Sequence, residues 1–365
     1  MIHFKLYQVK KLALLAALFC GAATAHAQQL LHVAVAGLTH DHAHNIMHQY
    51  KRGEVIIAGI AEADPQLVAR YKKTYNLPDS LFYPTLDALV QHVHPDAVLA
   101  YNAIALHLSV VEFCAPRHIP VMVEKPLATT VKDAQRIAAL AAQYHIPVLT
   151  NYETTWYNTN QQINDMVSSN AIGPVRKMIV HDGHKGPKEI GCSKDFLNWL
   201  TDPIQNGGGA IRDFGCYGAD LMTWLMKNET PVAVTAVTRH IKPDVYPKVD
   251  DDATILVEYA DATGIIEASW NWPFNIKDFE VFGKDGYLHA LNANKLQQRI
   301  NDSTAMLEVH GAQYQDNIPY LAAVLSGKVN PGNDLSSLPN NLIVVQILEA
   351  ASQSAKEGRR IVLKK

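Results

Sequence analysis

The feature that most constrains this chain is the regular alternation of short apolar runs with helical stretches between residues 31 and 123. Leu31-His32-Val33-Ala34-Val35-Ala36 reads as a buried strand that Gly37 closes in a turn, and a helical stretch follows through His48. Val55–Ile60 reads as a second strand, Pro65–Tyr75 as a helix, Ala97–Ala100 as a third strand, Leu106–Pro116 as a helix and Pro120–Val123 as a fourth strand. Strand, helix, strand in repetition is the pattern of an α/β fold with a Rossmann-like, doubly wound parallel sheet. Ligands of such sheets sit beyond the carboxyl ends of the strands, so the residues just after each strand carry the functional information.

After the first strand comes Gly37-Leu38-Thr39-His40-Asp41-His42-Ala43-His44. A dinucleotide fingerprint of the G-x-G-x-x-G kind would place glycine at 37, 39 and 42, the second for close approach of the backbone to a pyrophosphate and the third for tight packing of helix on strand. Only Gly37 is present, although a turn that opens a helix still offers N–H groups to an anion. After the second strand, Glu62 stands near the place of the acid that binds an adenosine ribose, 25 residues beyond Gly37. A carboxylate there favours NAD over NADP; as an alternative it is a solvated loop acid. His40, His42 and His44 alternate right after a strand and admit three readings: a cofactor or substrate pocket, polar residues at a helix start, or a metal site of the His-x-His kind. The motifs further on do not suit a metal-dependent hydrolase, so no metal is expected.

With 365 residues, 48% apolar and 18% charged, the chain has the profile of a folded protein and the length of two domains, with one large barrel as the other option. Its net charge of −3 contains no basic block, which argues against a nucleic-acid partner. Lys5, Lys10 and Lys11 precede an apolar run from Leu12 to Ala23, and Ala25-His26-Ala27 supplies small residues for cleavage, so residues 1–27 are expected to be a signal peptide removed before Gln28. About 12 apolar residues fall short of the roughly 20 needed to cross a hydrocarbon core, so no membrane anchor is expected after cleavage. Lipid attachment at Cys20 is the rival, and bulky Phe19 disfavours it. The mature chain would carry 29 basic against 35 acidic side chains, a net of −6, and would be periplasmic or secreted. Cys114, Cys192 and Cys216 form neither a disulfide framework nor a Cys-x-x-Cys site.

The fourth strand runs into Val123-Glu124-Lys125-Pro126-Leu127, and Glu-Lys-Pro in that place resembles the signature of the glucose-fructose oxidoreductase, inositol dehydrogenase and rhizopine-catabolism family (Gfo/Idh/MocA). His107 lies where that family usually carries a histidine. Gly207-Gly208-Gly209 with Asp213, Gly215, Tyr217 and Asp220 resembles its Gly-Gly-Gly then Asp-x-Gly-x-His-x-x-Asp segment, and Glu349 to Leu363, with Ser354 and Gly358-Arg359-Arg360, resembles its closing helix and strand. Two departures are the degraded glycine fingerprint and Tyr217 at the family's catalytic histidine position. The resemblance implies a nucleotide-binding domain over residues 28–150 and a substrate domain over 151–365 with an open α/β sheet. Alternating runs at Val232–Arg239, Ala253–Glu258, Gly264–Trp270 and Phe279–Phe282 agree with antiparallel strands there. It further implies NAD, held by Gly37, Thr39, His40, His42, Glu62, His107 and Glu124, a small-molecule carbohydrate substrate, and a homo-oligomer paired through the sheet face.

Removing a hydride from a carbinol carbon requires a base for the hydroxyl proton and a cation for the developing alkoxide. Lys125 is the expected cation, unless it only pairs with Glu124. Asp213, four residues before Tyr217 and so on the same helix face, is expected to hold Lys125 or a sugar hydroxyl. A nearby ammonium would lower the phenol pKa of Tyr217 and fit it to replace the histidine as base. Tyr152, Trp156, Tyr157, Trp270 and Trp272 offer a carbohydrate platform or, equally, a sheet core. His181, His184 and Lys185 are expected near the cleft. The function expected is an exported oxidoreductase acting on a sugar, polyol or glycoside; the alternatives are a glycosidase or lyase with internally recycled NAD and a cofactor-free carbohydrate-binding derivative.

Overall fold

The computed structural model describes residues 30–363; the expected signal peptide and Cys20 lie outside the described residues. Strands β1 (His32–Ala36), β2 (Ile56–Ala61), β3 (Phe82–Tyr83), β4 (Ala97–Ala100), β5 (Val121–Glu124) and β6 (Val148–Asn151) form one sheet. Its order is β3-β2-β1-β4-β5-β6, with every pairing parallel. The order reverses direction at β1, so the loops after β1 and β4 diverge and leave a crevice at their carboxyl ends. Period two is visible in the packing. Val33, Val35, Leu99 and Met122 face one hydrophobic cluster, whereas Ala34, Ala36, Val98 and Val123 face the other. The helix Pro65–Tyr75 has the bounds its sequence suggests. Pro65 occupies its first turn, Asp64 Oδ1 accepts from the Gln66 N–H at 2.8 Å, and left-handed Asn76 stops it.

The second sheet has nine strands: β7 (Val175–Gly183), β8 (Ala233–Arg239), β9 (Asp252–Glu258), β10 (Thr263–Ser269), β11 (Ile276–Gly283), β12 (Gly286–Asn292), β13 (Lys295–Ile300), β14 (Ser303–Leu307) and β15 (Ile361–Val362). They run in the order β14-β13-β12-β11-β7-β10-β9-β8-β15, antiparallel throughout except for β7 beside β10. One face is covered by the helices Gly215–Leu225 and Leu338–Glu357, the first buried on all sides. Two late segments also return to the first sheet: Ile318 and Leu321 join one of its clusters and Val345 the other. The halves on either side of residue 150 therefore share packing. No described helix is long and apolar enough to cross a membrane.

The closing segment is tied down by one hydroxyl. Fully buried Ser354 accepts from the Ala236 N–H at 2.9 Å and donates to the Arg359 carbonyl at 2.7 Å, fastening the long helix to β8 next to β15. Ser354→Ala would leave a buried donor and a carbonyl without partners, so urea denaturation should show a loss of about 1–3 kcal/mol. An unchanged midpoint would contradict this role.

Candidate active site

Gly37 leaves β1 with φ of +80°, and a Cβ there would stand 2.8 Å from the Cβ of Asn102, so only glycine lets the turn pass this close to the loop after β4. At the end of β2 the Glu62 carboxylate accepts from the Leu38 N–H through Oε2 and from the Asp64 N–H through Oε1, both at 2.9 Å. Gly37, Thr39, Glu62, Asn102, Leu106 and Phe113 are among the walls of a cavity of about 420 Å³. A carboxylate at the strand end, a close-packed glycine turn and an open cavity beside them fit the adenosine part of a dinucleotide. The loop itself has compensated for its missing glycines. The Trp199 indole donates to the Thr39 carbonyl at 3.2 Å, and the Ser193 N–H donates to Asp41 Oδ2 at 2.9 Å, so the segment around the helix Lys194–Leu200 clamps it.

The histidines take different partners. His40 is buried against Phe196 and Trp199; burial, with His42, Lys125 and His107 nearby, keeps its pKa well below the ordinary value. His42 stays beside it, ring centroids 4.5 Å apart, with Nδ1 at 2.9 Å from Glu124 Oε2. His44 points off this site, stacked on Tyr71 with Nδ1 at 2.6 Å from the Tyr75 hydroxyl. Donor atoms of His40, His42 and Glu124 lie within 4.8 Å of one another, but the carboxylate and His42 Nδ1 already engage each other, and His40 Nδ1 accepts from the His42 N–H at 3.1 Å. His107 is buried with Nδ1 at 3.1 Å from the Leu127 carbonyl, and burial pushes its pKa down to about 4. Of the residues expected at a cofactor, Gly37, Thr39 and Glu62 line the first cavity. His42 lines a second one, and His40, His107 and Glu124 stand behind the walls.

The second cavity, about 450 Å³, lies where β5 meets the segment after the glycine run. Asp250 builds that segment. It accepts from the Gly209 and Ile211 N–H groups at 2.8 and 2.7 Å, and a Cβ on Gly209 would collide with its carbonyl at 1.8 Å. The turn Ala210–Asp213 then delivers Asp213 to Lys125, whose Nζ donates to Oδ1 at 2.5 Å and to the carbonyl at 2.8 Å. The other carboxylate oxygen accepts from the Trp270 indole at 3.0 Å. Burial opposes both charges, yet each outweighs the penalty on the other: Lys125 is held above its ordinary pKa and Asp213 below. Asp213 and Tyr217 do not share one helix, because the backbone breaks at Phe214 before Gly215–Leu225 begins.

Tyr217 corrects the expectation that an ammonium would lower its pKa. Two ammoniums lie close to its ring, Lys125 Nζ at 4.9 Å and Lys277 Nζ at 4.4 Å from the centroid. Burial, joined by Glu153 and Asp182, drives the phenol well above its usual value. Its face holds cations; its hydroxyl is no base at neutral pH. The carbohydrate platform is not assembled either. Trp270 and Tyr152 are fully buried and hydrogen-bonded to Asp213 and Asn341, and neither Trp156, Tyr157 nor Trp272 lines the cavity. Its aromatic walls are Phe196, Phe214, Tyr217 and Phe274. His184 and Lys185 line it as expected, whereas His181, inside β7, points to the opposite face and bonds Asp278 at 2.7 Å. Three residues escaped the sequence reading: Lys277, its partner Glu153 at 2.5 Å, and buried Asp182, which burial pushes up to about 8. The signal for Lys277 was alternation, since β11 begins three residues before the apolar run at Phe279.

Residues 31–152 match the family model described as an oxidoreductase family with an NAD-binding Rossmann fold, and residues 160–289 match the GFO/IDH/MocA C-terminal domain. D-apiose dehydrogenase of Rhizobium rhizogenes is 22% identical over 335 residues, 87% of this chain and 93% of that protein. Trans-1,2-dihydrobenzene-1,2-diol dehydrogenase of Xenopus tropicalis is 24% identical over 49% of this chain, which spans 51% of that protein's length. Among solved structures, an aldose-aldose oxidoreductase from Caulobacter crescentus complexed with glycerol superposes with a TM-score of 0.76 at 24% identity, covering 92% of this chain and 100% of that one. An inositol dehydrogenase homolog from Azotobacter vinelandii complexed with NAD+ gives 0.79 at 16% identity, covering 92% and 98%. The likeness to the solved structures is one of fold.

The buried pair makes a prediction of opposite sign for wild type and variant. Asp213 titrates below its unfolded value, so its contribution is complete above about pH 4 and is lost only as pH falls further. In Lys125→Met, burial acts on Asp213 alone, its pKa moves above the ordinary range, and stability falls as pH rises through the new value. Urea midpoints should show the variant weaker by about 3–5 kcal/mol at pH 8 and by less at pH 5. Equal deficits at both pH values would contradict the pairing.

Proposed function

The chain belongs to the Gfo/Idh/MocA oxidoreductase family, and from that membership we propose that it is an exported, NAD-dependent enzyme that oxidises or reduces a carbinol carbon of an uncharged sugar, polyol or glycoside. The observation that carries the reading is the Lys125–Asp213 pair at the wall of a cavity beside the Gly37–Glu62 cradle. Gly37, Thr39 and Glu62 would hold the adenosine side of NAD, and the Glu62 carboxylate disfavours the additional phosphate of NADP. When bound, NAD+ supplies the acceptor for a hydride. Lys125 offers a fixed positive charge to the substrate oxygen, and Asp213 with Trp270 keeps that ammonium aimed and charged.

An uncharged substrate follows from the walls. Asp41, Glu153 and Asp213 are matched by Lys125, Lys185 and Lys277, three carboxylates against three ammoniums. Such a cavity offers many hydrogen-bonding groups and no net field to draw in a phosphate or an acid. Export is supported by the lysines at 5, 10 and 11 ahead of the apolar run and by Ala25-His26-Ala27. Amino-terminal sequencing of the secreted or periplasmic form should begin at Gln28, and a chain retained whole in the cytoplasm would refute export.

Denaturing the purified mature protein should release close to one equivalent of NAD(H), and Gly37→Ala should release much less. A wild type that holds no NAD and has no affinity for it would sink the redox reading. Accumulation of NADH with sugar separates net oxidation from a hydrolytic cycle that restores NAD+ in each turnover. Tyr217→Phe keeps the ring beside the two ammoniums, so its turnover should stay within about tenfold of wild type, short of the roughly 10²–10⁴-fold loss that follows removal of a general base.

A further inference from the structure

The cavity has an aimed cation, and most of the groups around it are unsuited to accept a proton. Tyr217 stays protonated. Asp213 is held below its ordinary pKa with both oxygens occupied. Lys125 and Lys277 are held as ammoniums by their carboxylate partners. Burial pushes the Cys192 thiol up to about 12. Glu153 is likewise held below its ordinary pKa, with its oxygens on Lys277 and Tyr157, and Asp41 Oδ2 accepts from the Ser193 N–H. Two histidines also stand on the walls, and their hydrogen bonds set opposite tautomers. His184 Nδ1 accepts from the Gly186 N–H at 2.9 Å, so the neutral ring carries its proton on Nε2 and is a donor. His42 Nδ1 faces Glu124 Oε2 at 2.9 Å. Burial works against the Glu124 charge, but His42, Asn151 and Lys125 outweigh it and hold the carboxyl below its usual value. An ionised carboxylate only accepts, so His42 must donate from Nδ1, and its lone pair is left on Nε2.

A relay behind the pair keeps it in place. Glu124 is almost fully buried; its Oε1 accepts from Asn151 Nδ2 at 2.8 Å, and Asn151 Oδ1 accepts from the Trp156 indole at 3.1 Å. The His42 side chain is 31% exposed and lines the same cavity as Lys125. A base within the cavity, an ionised orienting acid behind it and a third group fixing the acid are the parts that general-base catalysis needs.

We propose that His42 is the general base of this site, oriented by Glu124, and that it replaces the histidine missing at position 217. The inference rests on the oxidoreductase reading above. In the oxidative direction the O–H bond breaks with its proton passing to His42 Nε2, the freed electron pair forms the second carbon–oxygen bond, and the C–H hydrogen leaves with its pair as hydride to NAD+; the imidazolium then returns the proton to water. Lys125 steadies the oxygen throughout. The charged and titratable groups around His42 are His40 and Asp41 on its own loop, Glu124 and Lys125 at the end of β5, and Glu153 beyond β6.

The test has a spectroscopic arm and a kinetic arm, both on the mature protein with its NAD. Nitrogen-15 NMR of the histidine side chains, with His42 assigned by its loss in His42→Gln, should show a neutral ring protonated at Nδ1 and bare at Nε2; Glu124→Gln should abolish that preference. An Nε2-protonated ring, or a coordinated ring with stoichiometric metal shared by His40, His42 and Glu124, would overturn the proposal. In stopped flow with D-glucose and myo-inositol, His42→Gln should slow reduction of bound NAD+ by about 10²–10⁴-fold while releasing as much NAD on denaturation as wild type. His42→Ala, should the first variant misfold, should regain part of the rate with added imidazole. An unimpaired His42→Gln beside an active wild type defeats the proposal alone, whereas a wild type inert toward every neutral sugar and polyol defeats it together with the family-level reading.

Discussion

The site depends on one buried ion pair. Lys125 follows a strand of the first sheet and Asp213 ends the turn that follows the glycine run, 88 residues later, and their contact is how the ammonium on the cavity wall is held. Neither charge is tenable alone in that environment, since removing an ammonium or a carboxylate from water costs several kcal/mol even after relaxation. The solution is mutual satisfaction. Lys125 has the Asp213 carboxylate and carbonyl, and Asp213 has Trp270 on its second oxygen. Trp270 is therefore a structural donor, which explains why a residue suited to stacking on sugar is fully buried.

A second dependence runs through the loop after β1. Losing glycine at 39 and 42 would be expected to spoil the approach of a diphosphate, yet the loop uses the larger residues constructively. The Thr39 carbonyl receives the Trp199 indole, Asp41 receives the Ser193 N–H, and His42 is drawn onto Glu124 and away from the first cavity. The cavity beside Gly37 stays open with Thr39 on its wall, while the His40 and His42 side chains pack elsewhere. Departure from the glycine fingerprint thus exchanges backbone proximity for a side chain in the reacting cavity.

Much of this was legible in the sequence, for physical reasons that also mark where reading stopped. Four strands and the Pro65–Tyr75 helix of the first sheet could be read because buried parallel strands are continuous apolar runs and Pro and Asp punctuate helix starts. Strands β12 to β14 escaped because an open sheet face tolerates polar residues such as Gln297, Gln298 and Arg299, which blur alternation. Lys125 and Asp213 could be read from local motifs. The hydrogen bonds that build the site could not, since Trp270 to Asp213, Asp250 to Gly209 and Glu124 to His42 act across 57, 41 and 82 residues. Tyr217 failed as a base for the same reason. An adjacent ammonium was foreseen, but its burial and the carboxylates of Glu153 and Asp182 are tertiary facts that outweigh it.

Charge balance joins these pieces. Lys125 and Lys277 both approach one aromatic ring to under 5 Å, a crowding of like charge that would be repulsive without Asp213 on one ammonium and Glu153 on the other. Asp182 faces the same cluster, and burial raises its pKa to about 8, which weakens its hold on a negative charge near neutral pH. The walls consequently carry fixed dipoles and paired ions with no surplus of either sign. Negative charge that develops on a substrate oxygen meets an ammonium already oriented by its partners, and little reorganisation is left to oppose it. A histidine in place of Tyr217 would have to titrate close to two ammoniums, which would disfavour its protonated form. Moving the proton-accepting group to the loop after β1, beside an ionised carboxylate, separates that task from the cation cluster and lets each keep the charge it needs.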